Sequence, residues 1–293
     1  MKTGFHAALT DDGLELQALL FEPERKTKTV VLHFHGKEGN FVQNHFLFTM
    51  NKEYTAAGYA FMTANHRGHD YMADVLKKSA AGWEYSQQGS AFDIFENCVY
   101  DIKCWADYLE NLGFENIVLQ QHSTPQKIVW YQHNTRNPRV KAMLLLSPAD
   151  IGYLFRAYVK DADKNLALAE KMVSAGKGRE LMPVNLWSNC PVSAATYANW
   201  YGKKSNFLMF DYSNPEKKFK ELSEIKLPLF FAAGEKDFAL PSNVAECLEI
   251  IKSRAASSPL TETYLSAGAP HSYEGKAAEL SKKAISFLKK SGI

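Results

Sequence analysis

Residues 117–134 read IVLQQHSTPQKIVWYQHN. The first four of them, Ile117–Gln120, form a short run rich in apolar and β-branched residues, which is typical of a strand buried inside a sheet. The segment from Gln126 to Asn134 has the length and apolar content of a short helix. Ser123 lies between the two, so the sequence predicts a serine in a tight turn that joins a buried strand to a helix.

A turn of this kind directs the serine side chain out beyond the end of the strand. The helix that follows begins with free backbone N–H groups, which favour negative charge near its N-terminus. Ser123 is therefore a candidate nucleophile for attack on a carbonyl group. The same position also suits a serine that only caps a helix, and the other strand ends decide between the two interpretations.

Strands and helices alternate on both sides of this turn. A hairpin is predicted first, from residues 5–9 and 14–21, because Asp11-Asp12-Gly13 favours a turn. Further strands are expected at 29–34, 59–64, 140–146, 227–233 and 261–265, and further helices at 44–57, 91–112 and 276–290. This order predicts an α/β fold with a mostly parallel central sheet flanked by helices.

The alternation stops between residues 151 and 221. This stretch contains two helical segments, Leu154–Ala175 and Ser193–Trp200, and many aromatic residues. We therefore expect residues 1–150 and 222–293 to form the α/β core, and residues 151–221 to form a helical cap or lid inserted into it. The aromatic residues are expected to fill the interior of this lid and to cover a binding site with one of its faces.

Two more strand ends carry the residues that a serine nucleophile needs. Asp237 follows the predicted strand at 227–233, and His271 follows the one at 261–265. The carboxyl ends of parallel strands meet at one edge of the sheet, which is where ligands bind. The sequence therefore predicts that Ser123, Asp237 and His271 come together there as nucleophile, acid and base.

Several short motifs make the sequence resemble the α/β-hydrolase superfamily over essentially the whole chain. They are LHFHG at 32–36, NHRGH at 65–69, HS at 122–123, GEKDFALPSN at 234–243 and SAGAPHSYEG at 266–275. The chain order Ser, Asp, His is also the order used by this superfamily. Two further stretches are similar to the branch that includes fungal siderophore esterase-like proteins, namely NHRGHDY at 65–71 and WADYLENLGFENIVLQ at 105–120.

The resemblance implies a serine hydrolase, with Ser123 as nucleophile, His271 as general base and Asp237 as the residue that orients the base. It also implies an oxyanion hole made by the backbone N–H groups of Lys37 and Thr124. The expected reaction is hydrolysis of a carboxylic ester, or a related acyl bond, through an acyl-serine intermediate. We expect a small substrate with an aromatic or medium-chain acyl group, and no cofactor.

The turn around the serine departs from the superfamily pattern G-x-S-x-G. It reads Gln121-His122-Ser123-Thr124-Pro125, without either glycine. Pro125 suits the first turn of a helix, but it favours an extended backbone at Thr124, and Gln121 needs space or a place in the pocket wall. Two alternatives to an esterase therefore stay open. One is a cofactor-independent lyase or carbon–carbon hydrolase, and the other is a non-catalytic ligand-binding protein on the same fold.

The substrate pocket is expected to be mainly apolar and lined by aromatic residues. The candidates for substrate contact come from the loop after the strand at 29–34, the serine turn, the lid and the segment after Asp237. They are Gly36, Glu38, Gln121, His122, Tyr153, Trp187, Trp200 and Phe238. Asp150 also follows a predicted strand and is the alternative acid, although a helix-capping role suits it better.

Composition and charge argue against other classes of protein. The net charge of +2 over 293 residues gives no basic excess for nucleic acid or an anionic membrane. No signal peptide and no apolar run of about 20 residues are seen. The four cysteines and the histidines lack the spacing of a disulfide framework or a metal site. We expect a cytoplasmic monomer or homodimer that acts on a small molecule, without nucleic-acid or membrane partners.

Overall fold

A sheet of eight strands forms the centre of residues 2–214, 216–241 and 243–293, which are the parts of the chain that the computed structural model describes. The strands of the protein, in chain order, are β1 (Lys2–Leu9), β2 (Glu15–Glu22), β3 (Thr29–Phe34), β4 (Ala60–Ala64), β5 (Ala73–Ser79), β6 (Gly82–Gln88), β7 (Asn116–His122), β8 (Val140–Leu146), β9 (Leu229–Lys236) and β10 (Thr261–Pro270). Strands β5 and β6 form a separate antiparallel hairpin, and Lys77 of β5 also makes an isolated bridge with Leu14.

The strands of the central sheet are mostly parallel. Their order is β1-β2-β4-β3-β7-β8-β9-β10, with antiparallel pairing between β1 and β2 and between β2 and β4, and parallel pairing from β4 onward. The predicted α/β fold with a mostly parallel sheet is therefore confirmed. Since β3, β7, β8, β9 and β10 are neighbours and run in the same direction, their carboxyl ends lie along one edge of the sheet.

Helices cover both faces of the sheet. They are α1 (Phe46–Ala56), α2 (Cys98–Asn111), α3 (Gln126–Thr135), α4 (Ile151–Tyr158), α5 (Ala162–Ser174), α6 (Ala194–Tyr201), α7 (Lys220–Ser223), α8 (Val244–Arg254) and α9 (Ala277–Lys290). Successive strand residues point to opposite faces. Val118 belongs to the apolar cluster that contains residues of α1 and α9, whereas Leu119 belongs to the one that contains residues of α2, α3 and α8. Burial on both faces explains why these strands are continuous apolar runs.

The helices between β8 and β9 pack on the α2 and α3 side of the sheet. Their aromatic residues belong to the same apolar core as those two helices. Phe207 stacks on Phe95 with ring centroids 4.8 Å apart, and Trp200 contacts Phe207 edge-on at 5.0 Å. The segment is therefore fixed to the rest of the protein by aromatic packing.

Two predicted helices differ from those observed by more than two residues at an end or by an interruption. The helix predicted at 91–112 begins only at Cys98, because Asp93 and Ile94 have extended backbones. The helix predicted over Leu154–Ala175 is divided into α4 and α5, because Asp161 has a φ of 53°, which a helix cannot contain. The hairpin of β5 and β6 was not predicted, since its sequence is rich in lysine, serine and glutamine.

Within the described ranges, no helix combines the length and the apolar character that crossing a membrane requires.

A buried ion pair connects α3 to the segment before α2. The Nζ atom of Lys127 lies 2.6 Å from a carboxylate oxygen of Asp93, and both side chains are 3% exposed. Lys127 also donates a hydrogen bond to Nδ1 of His66 at 3.3 Å. The pair therefore fixes the first turn of α3, the helix that follows Ser123.

We expect Lys127→Met to lower the free energy of unfolding by about 3–5 kcal/mol, because it leaves the charge of Asp93 buried without a partner. The matched control is Lys290→Met, which breaks an exposed pair with Glu262 and should cost less than about 1 kcal/mol. Urea denaturation of both variants checks this. Equal effects of the two substitutions would contradict the assigned burial.

Candidate active site

Ser123 occupies a strained turn between β7 and α3. Its backbone φ is 69°, in the left-handed region that residues other than glycine rarely adopt. The turn is closed by a hydrogen bond of 2.7 Å from the N–H of Thr124 to the carbonyl oxygen of His122. The N–H of Ser123 donates to the carbonyl of Leu146 at the end of β8, at 2.8 Å. Both ends of the turn are thus fixed by the sheet.

The structure brings the three predicted triad residues together. The Oγ atom of Ser123 lies 2.9 Å from Nε2 of His271. Nδ1 of His271 lies 2.6 Å from Oδ1 of Asp237. One imidazole therefore contacts a serine hydroxyl through one nitrogen and a carboxylate through the other, which is the arrangement that lets a histidine remove a proton from serine.

Asp237 lies directly after β9 and is 4% exposed. Burial acts to raise the pKa of its carboxyl group, but the charge of His271, its hydrogen bond and the N–H of Ala239 together lower the pKa below the ordinary value. The Ala239 N–H donates to Oδ1 at 2.9 Å. The carboxylate is therefore ionised, as a residue that stabilises an imidazolium must be.

Hydrogen bonds to the backbone carbonyl of His271 hold the loop that carries this residue. This oxygen accepts hydrogen bonds from Nε2 of His122 at 2.8 Å and from Oγ of Ser147 at 2.9 Å. Burial lowers the pKa of His122 to about 3, so its ring is neutral, and Nε2 carries the proton that it donates. His122 thus links the serine turn to the base, in addition to lining the pocket.

Ser147 is a residue that sequence reasoning missed. It follows β8 directly, is fully buried, and has a φ of 49°. Its hydroxyl also contacts the hydroxyl of Tyr273 at 3.0 Å. The signal that identified Ser123, Asp237 and His271, a polar residue immediately after a parallel strand, is present at Ser147 as well.

The loop after β3 approaches the serine closely at Gly36. A Cβ atom at this position would lie 2.6 Å from Cβ of Ser123, a distance that real contacts do not reach. The N–H of Lys37, the next residue, makes no hydrogen bond to any residue within 2–214, 216–241 and 243–293. By contrast, the N–H of Thr124 already donates to His122. Of the two predicted oxyanion donors, one is thus free and the other is engaged in the turn.

A pocket of about 340 Å³ opens beside Ser123. Five residues predicted to contact substrate line it, namely Gly36, Glu38, His122, Trp187 and Phe238. The remaining lining is largely polar and comprises Lys37, Gly39, Gln43, Asn44, Ser188, His271 and Ser272 besides the serine itself. The prediction of a mainly apolar pocket is therefore wrong.

Three residues predicted to contact substrate do not line this pocket. Trp200 is 1% exposed, and its indole N–H donates to the carbonyl of Asp93 at 2.9 Å, because a buried donor needs an acceptor. Tyr153 lies in the first turn of α4, where its ring contacts that of Tyr158. Gln121 is buried beneath the turn, with its amide bonded to neighbouring segments.

One wall of the pocket is held by charged side chains. Lys37 pairs with the carboxylate of Glu38, donates to the carbonyl of Trp187 at 3.2 Å, and lies 5.2 Å from the centroid of the Trp187 ring. Burial raises the pKa of Glu38, although the charge of Lys37 opposes the shift. The side chain of Lys37 is only 4% exposed, so it links the loop after β3 to Trp187.

Asp150, the alternative acid, and the buried histidines His35 and His66 have structural roles. Asp150 caps α4, with a carboxylate oxygen that accepts the N–H of Tyr153 at 2.7 Å. The rings of His35 and His66 stack with centroids 4.1 Å apart, and burial lowers the pKa of His35 to about 3. Across the described ranges of the chain, no group of three or more histidine, cysteine or acidic side chains is placed to hold a metal ion.

Comparison with known families gives one match over most of the chain. The model of a family described as "Protein of unknown function (DUF1749)" matches residues 75–289. A protein of Mycoplasma genitalium named "Putative esterase/lipase 3" is 25% identical over 235 residues, which cover 77% of this chain and 75% of that protein.

Two solved structures with a similar fold are esterases. Est1E from Butyrivibrio proteoclasticus, with ferulic acid bound, has a TM-score of 0.65 at 14% identity and covers 97% of this chain and 98% of its own. A thermostable carboxyl esterase from Bacillus coagulans, in complex with glycerol, has a TM-score of 0.66 at 14% identity and covers 100% of both chains. These likenesses, together with the sheet order, establish the α/β-hydrolase fold.

We expect Gly36→Ala to reduce kcat by about 10- to 100-fold, because the added methyl group must displace the loop that carries the Lys37 N–H. Gly178→Ala is the matched control, since its new Cβ would lie 3.3 Å from Ala195 and outside the pocket. Steady-state kinetics with a p-nitrophenyl ester measures both. An unchanged kcat in Gly36→Ala would show that the loop can move without loss.

Proposed function

The chain belongs to the DUF1749 family of proteins of unknown function, and we propose that this member is a serine hydrolase acting on carboxylic esters. The observation that carries the proposal is the chain of contacts from Ser123 through His271 to Asp237, at 2.9 and 2.6 Å. The esterases found among its relatives and among structures of the same fold support the choice of substrate bond.

In the first half of the reaction, Oγ of Ser123 attacks the ester carbonyl while Nε2 of His271 accepts the hydroxyl proton. The negative carboxylate of Asp237 stabilises the imidazolium that forms. When the tetrahedral intermediate collapses, the carbon–oxygen bond to the alcohol breaks, and His271 gives its proton to the leaving oxygen. In the second half, His271 activates water, which attacks the acyl-serine and releases the acid.

The charge on the tetrahedral oxygen is stabilised by backbone N–H groups. Lys37 supplies a donor that has no hydrogen-bond partner among the described residues and is available in the resting enzyme. Thr124 supplies the second donor from the peptide that follows the serine, which shifts from its bond with His122 as the intermediate forms. Removing one such donor in other enzymes costs roughly 10²- to 10³-fold in kcat, so this pair accounts for a large part of the expected rate enhancement.

The pocket supports a small ester as substrate. Its volume of about 340 Å³ is near the lower end of the range of ligand pockets, roughly 300–1,000 Å³. Trp187 and Phe238 offer apolar surfaces for an aromatic or medium-chain acyl group, and the polar groups around them suit a substrate with hydroxyl or carbonyl groups. The resemblance to siderophore esterase-like proteins remains a prediction.

Residues 151–221 are proposed to act as a lid. They supply Trp187 and Ser188 to the pocket wall. Trp187 is held by Lys37, and the carbonyl of Ser188 accepts a hydrogen bond of 2.8 Å from the hydroxyl of Tyr71. These contacts attach the proposed lid to the loop after β3 and place part of it in the wall of the pocket beside Ser123.

Ser123→Ala is expected to abolish hydrolysis of p-nitrophenyl esters, because within residues 2–214, 216–241 and 243–293 the Ser123 hydroxyl is the only one bonded to the imidazole of His271. Intact-mass spectrometry after treatment with a fluorophosphonate probe should show one adduct on the wild-type chain and none on this variant. Ser272→Ala, which changes another serine of the pocket, should keep the adduct. Wild-type hydrolysis by Ser123→Ala would refute the proposal, and tight ligand binding without an adduct would favour the non-catalytic alternative.

Asp237→Asn is expected to lower kcat by about 10³- to 10⁴-fold, by analogy with the measured effect of this change in another serine triad. The amide neither stabilises the imidazolium nor holds the correct tautomer of His271. KM should change little, since Asp237 does not line the pocket. A loss of less than about tenfold would indicate that another group serves as the acid.

A further inference from the structure

Gln121 stands two residues before Ser123, where the superfamily has a glycine, and its side chain is buried. Its Nε2 group donates two hydrogen bonds, to the backbone carbonyl of His35 at 3.3 Å and to Oγ1 of Thr124 at 3.2 Å. Only 1% of the residue is exposed. Both N–H groups of the amide are therefore used inside the protein.

The orientation of this amide follows from its partners. The carbonyl of His35 can only accept, so the NH₂ group must face it, and the opposite orientation would place two acceptors against each other. Oε1 of Gln121 then has no hydrogen-bond partner among the described residues. Burying a carbonyl group without a hydrogen bond costs free energy. A glycine at this position would avoid that cost.

The two acceptors of Gln121 belong to the two segments that form the oxyanion hole. The carbonyl of His35 lies in the peptide just before Gly36, and the next peptide supplies the N–H of Lys37. Thr124 supplies the other N–H. One amide group therefore connects the loop after β3 to the serine turn. It bonds to His35, two residues before Lys37, and to the side chain of Thr124, which itself carries the other proposed donor.

The sequence of this turn makes a constraint of this kind on Thr124 important. Thr124 precedes Pro125, which disfavours a helical backbone at Thr124, and α3 begins only at Gln126. The first turn of α3 holds only the carbonyl of Thr124, which accepts a hydrogen bond of 3.1 Å from the N–H of Lys127. That carbonyl belongs to the peptide after Thr124, whereas the proposed oxyanion donor belongs to the peptide before it. Oxyanion donors must be placed within about 0.5 Å of their productive position, so a second constraint on Thr124 and on the loop affects the rate directly.

We propose that Gln121 is a positioning residue that sets the spacing between the Lys37 and Thr124 N–H groups. It does so from a position where the superfamily pattern has a glycine. The inference rests on the proposed serine hydrolase function. Gln121 acts through the two backbone segments and does not touch the substrate.

Gln121→Met tests the proposal, because methionine has nearly the same length but donates no hydrogen bond. We expect kcat to fall about 10- to 100-fold, with KM changed less than about twofold, since oxyanion contacts strengthen only in the transition state. The inhibition constant of a trifluoromethyl ketone, which forms a tetrahedral adduct with serine, should rise by a similar factor to the fall in kcat/KM.

Gln120→Met is the matched control. Gln120 is the adjacent residue of β7 and is also fully buried, but it points to the opposite face, where it donates to Nδ1 of His33 at 2.8 Å and accepts from the hydroxyl of Tyr54 at 2.7 Å. We expect this variant to lose thermal stability and to keep kcat. Equal falls of kcat in the two methionine variants, or an unchanged kcat in folded Gln121→Met, would overturn the proposal.

If Gln121→Met does not fold, Thr124→Val removes the hydroxyl acceptor and keeps the backbone N–H and the side-chain shape. A fall in kcat of at least about fivefold without a change in KM supports the proposal, and an unchanged kcat overturns it. Failure of the serine hydrolase function itself would be distinguishable, because the wild-type protein would then neither hydrolyse esters nor form a fluorophosphonate adduct.

Discussion

The backbone of Ser123, with a φ of 69°, costs a residue other than glycine about 1–3 kcal/mol, and the sheet supplies the contacts that hold it there. The N–H of Ser123 bonds to Leu146, its carbonyl accepts from Ala149 at 3.1 Å, and Thr124 closes the turn on His122. Because these contacts come from the end of β8 and from the turn itself, the strain persists only while the strands are paired. The consequence is a serine oxygen that projects beyond the sheet toward His271.

The remaining site residues depend on the same edge of the sheet. Asp237 follows β9, Ser147 follows β8, and His271 follows β10. Three neighbouring strands therefore supply the proposed acid, the residue that holds the loop of the proposed base, and that base. β3, on the other side of β7, supplies the loop with Gly36 and Lys37. The parallel pairing of the strands therefore brings most of the site residues together, and short loops after the strands complete the site.

The strand ends are also what made the site predictable. Apolar runs followed by polar residues are local patterns, so the α/β fold and the grouping of Ser123, Asp237 and His271 follow from sequence alone. Contacts between segments that are distant in the sequence cannot be predicted from such local patterns. Lys37 reaches Trp187, 150 positions away, and makes the pocket more polar than expected. Trp200 was expected at the pocket, but its indole N–H is satisfied by Asp93 in the interior.

The departure of the QHSTP turn from the superfamily pattern has a physical solution here. Gln121 fits beneath the turn because its amide finds two acceptors, and Pro125 precedes α3 without disturbing its hydrogen bonds. The central claim is that this turn still presents a nucleophile. Acid quenching during turnover of a p-nitrophenyl ester, followed by peptide mapping, tests it most directly. We predict an acyl group on the peptide that contains Ser123, whereas turnover with no acyl group on that serine would contradict the account.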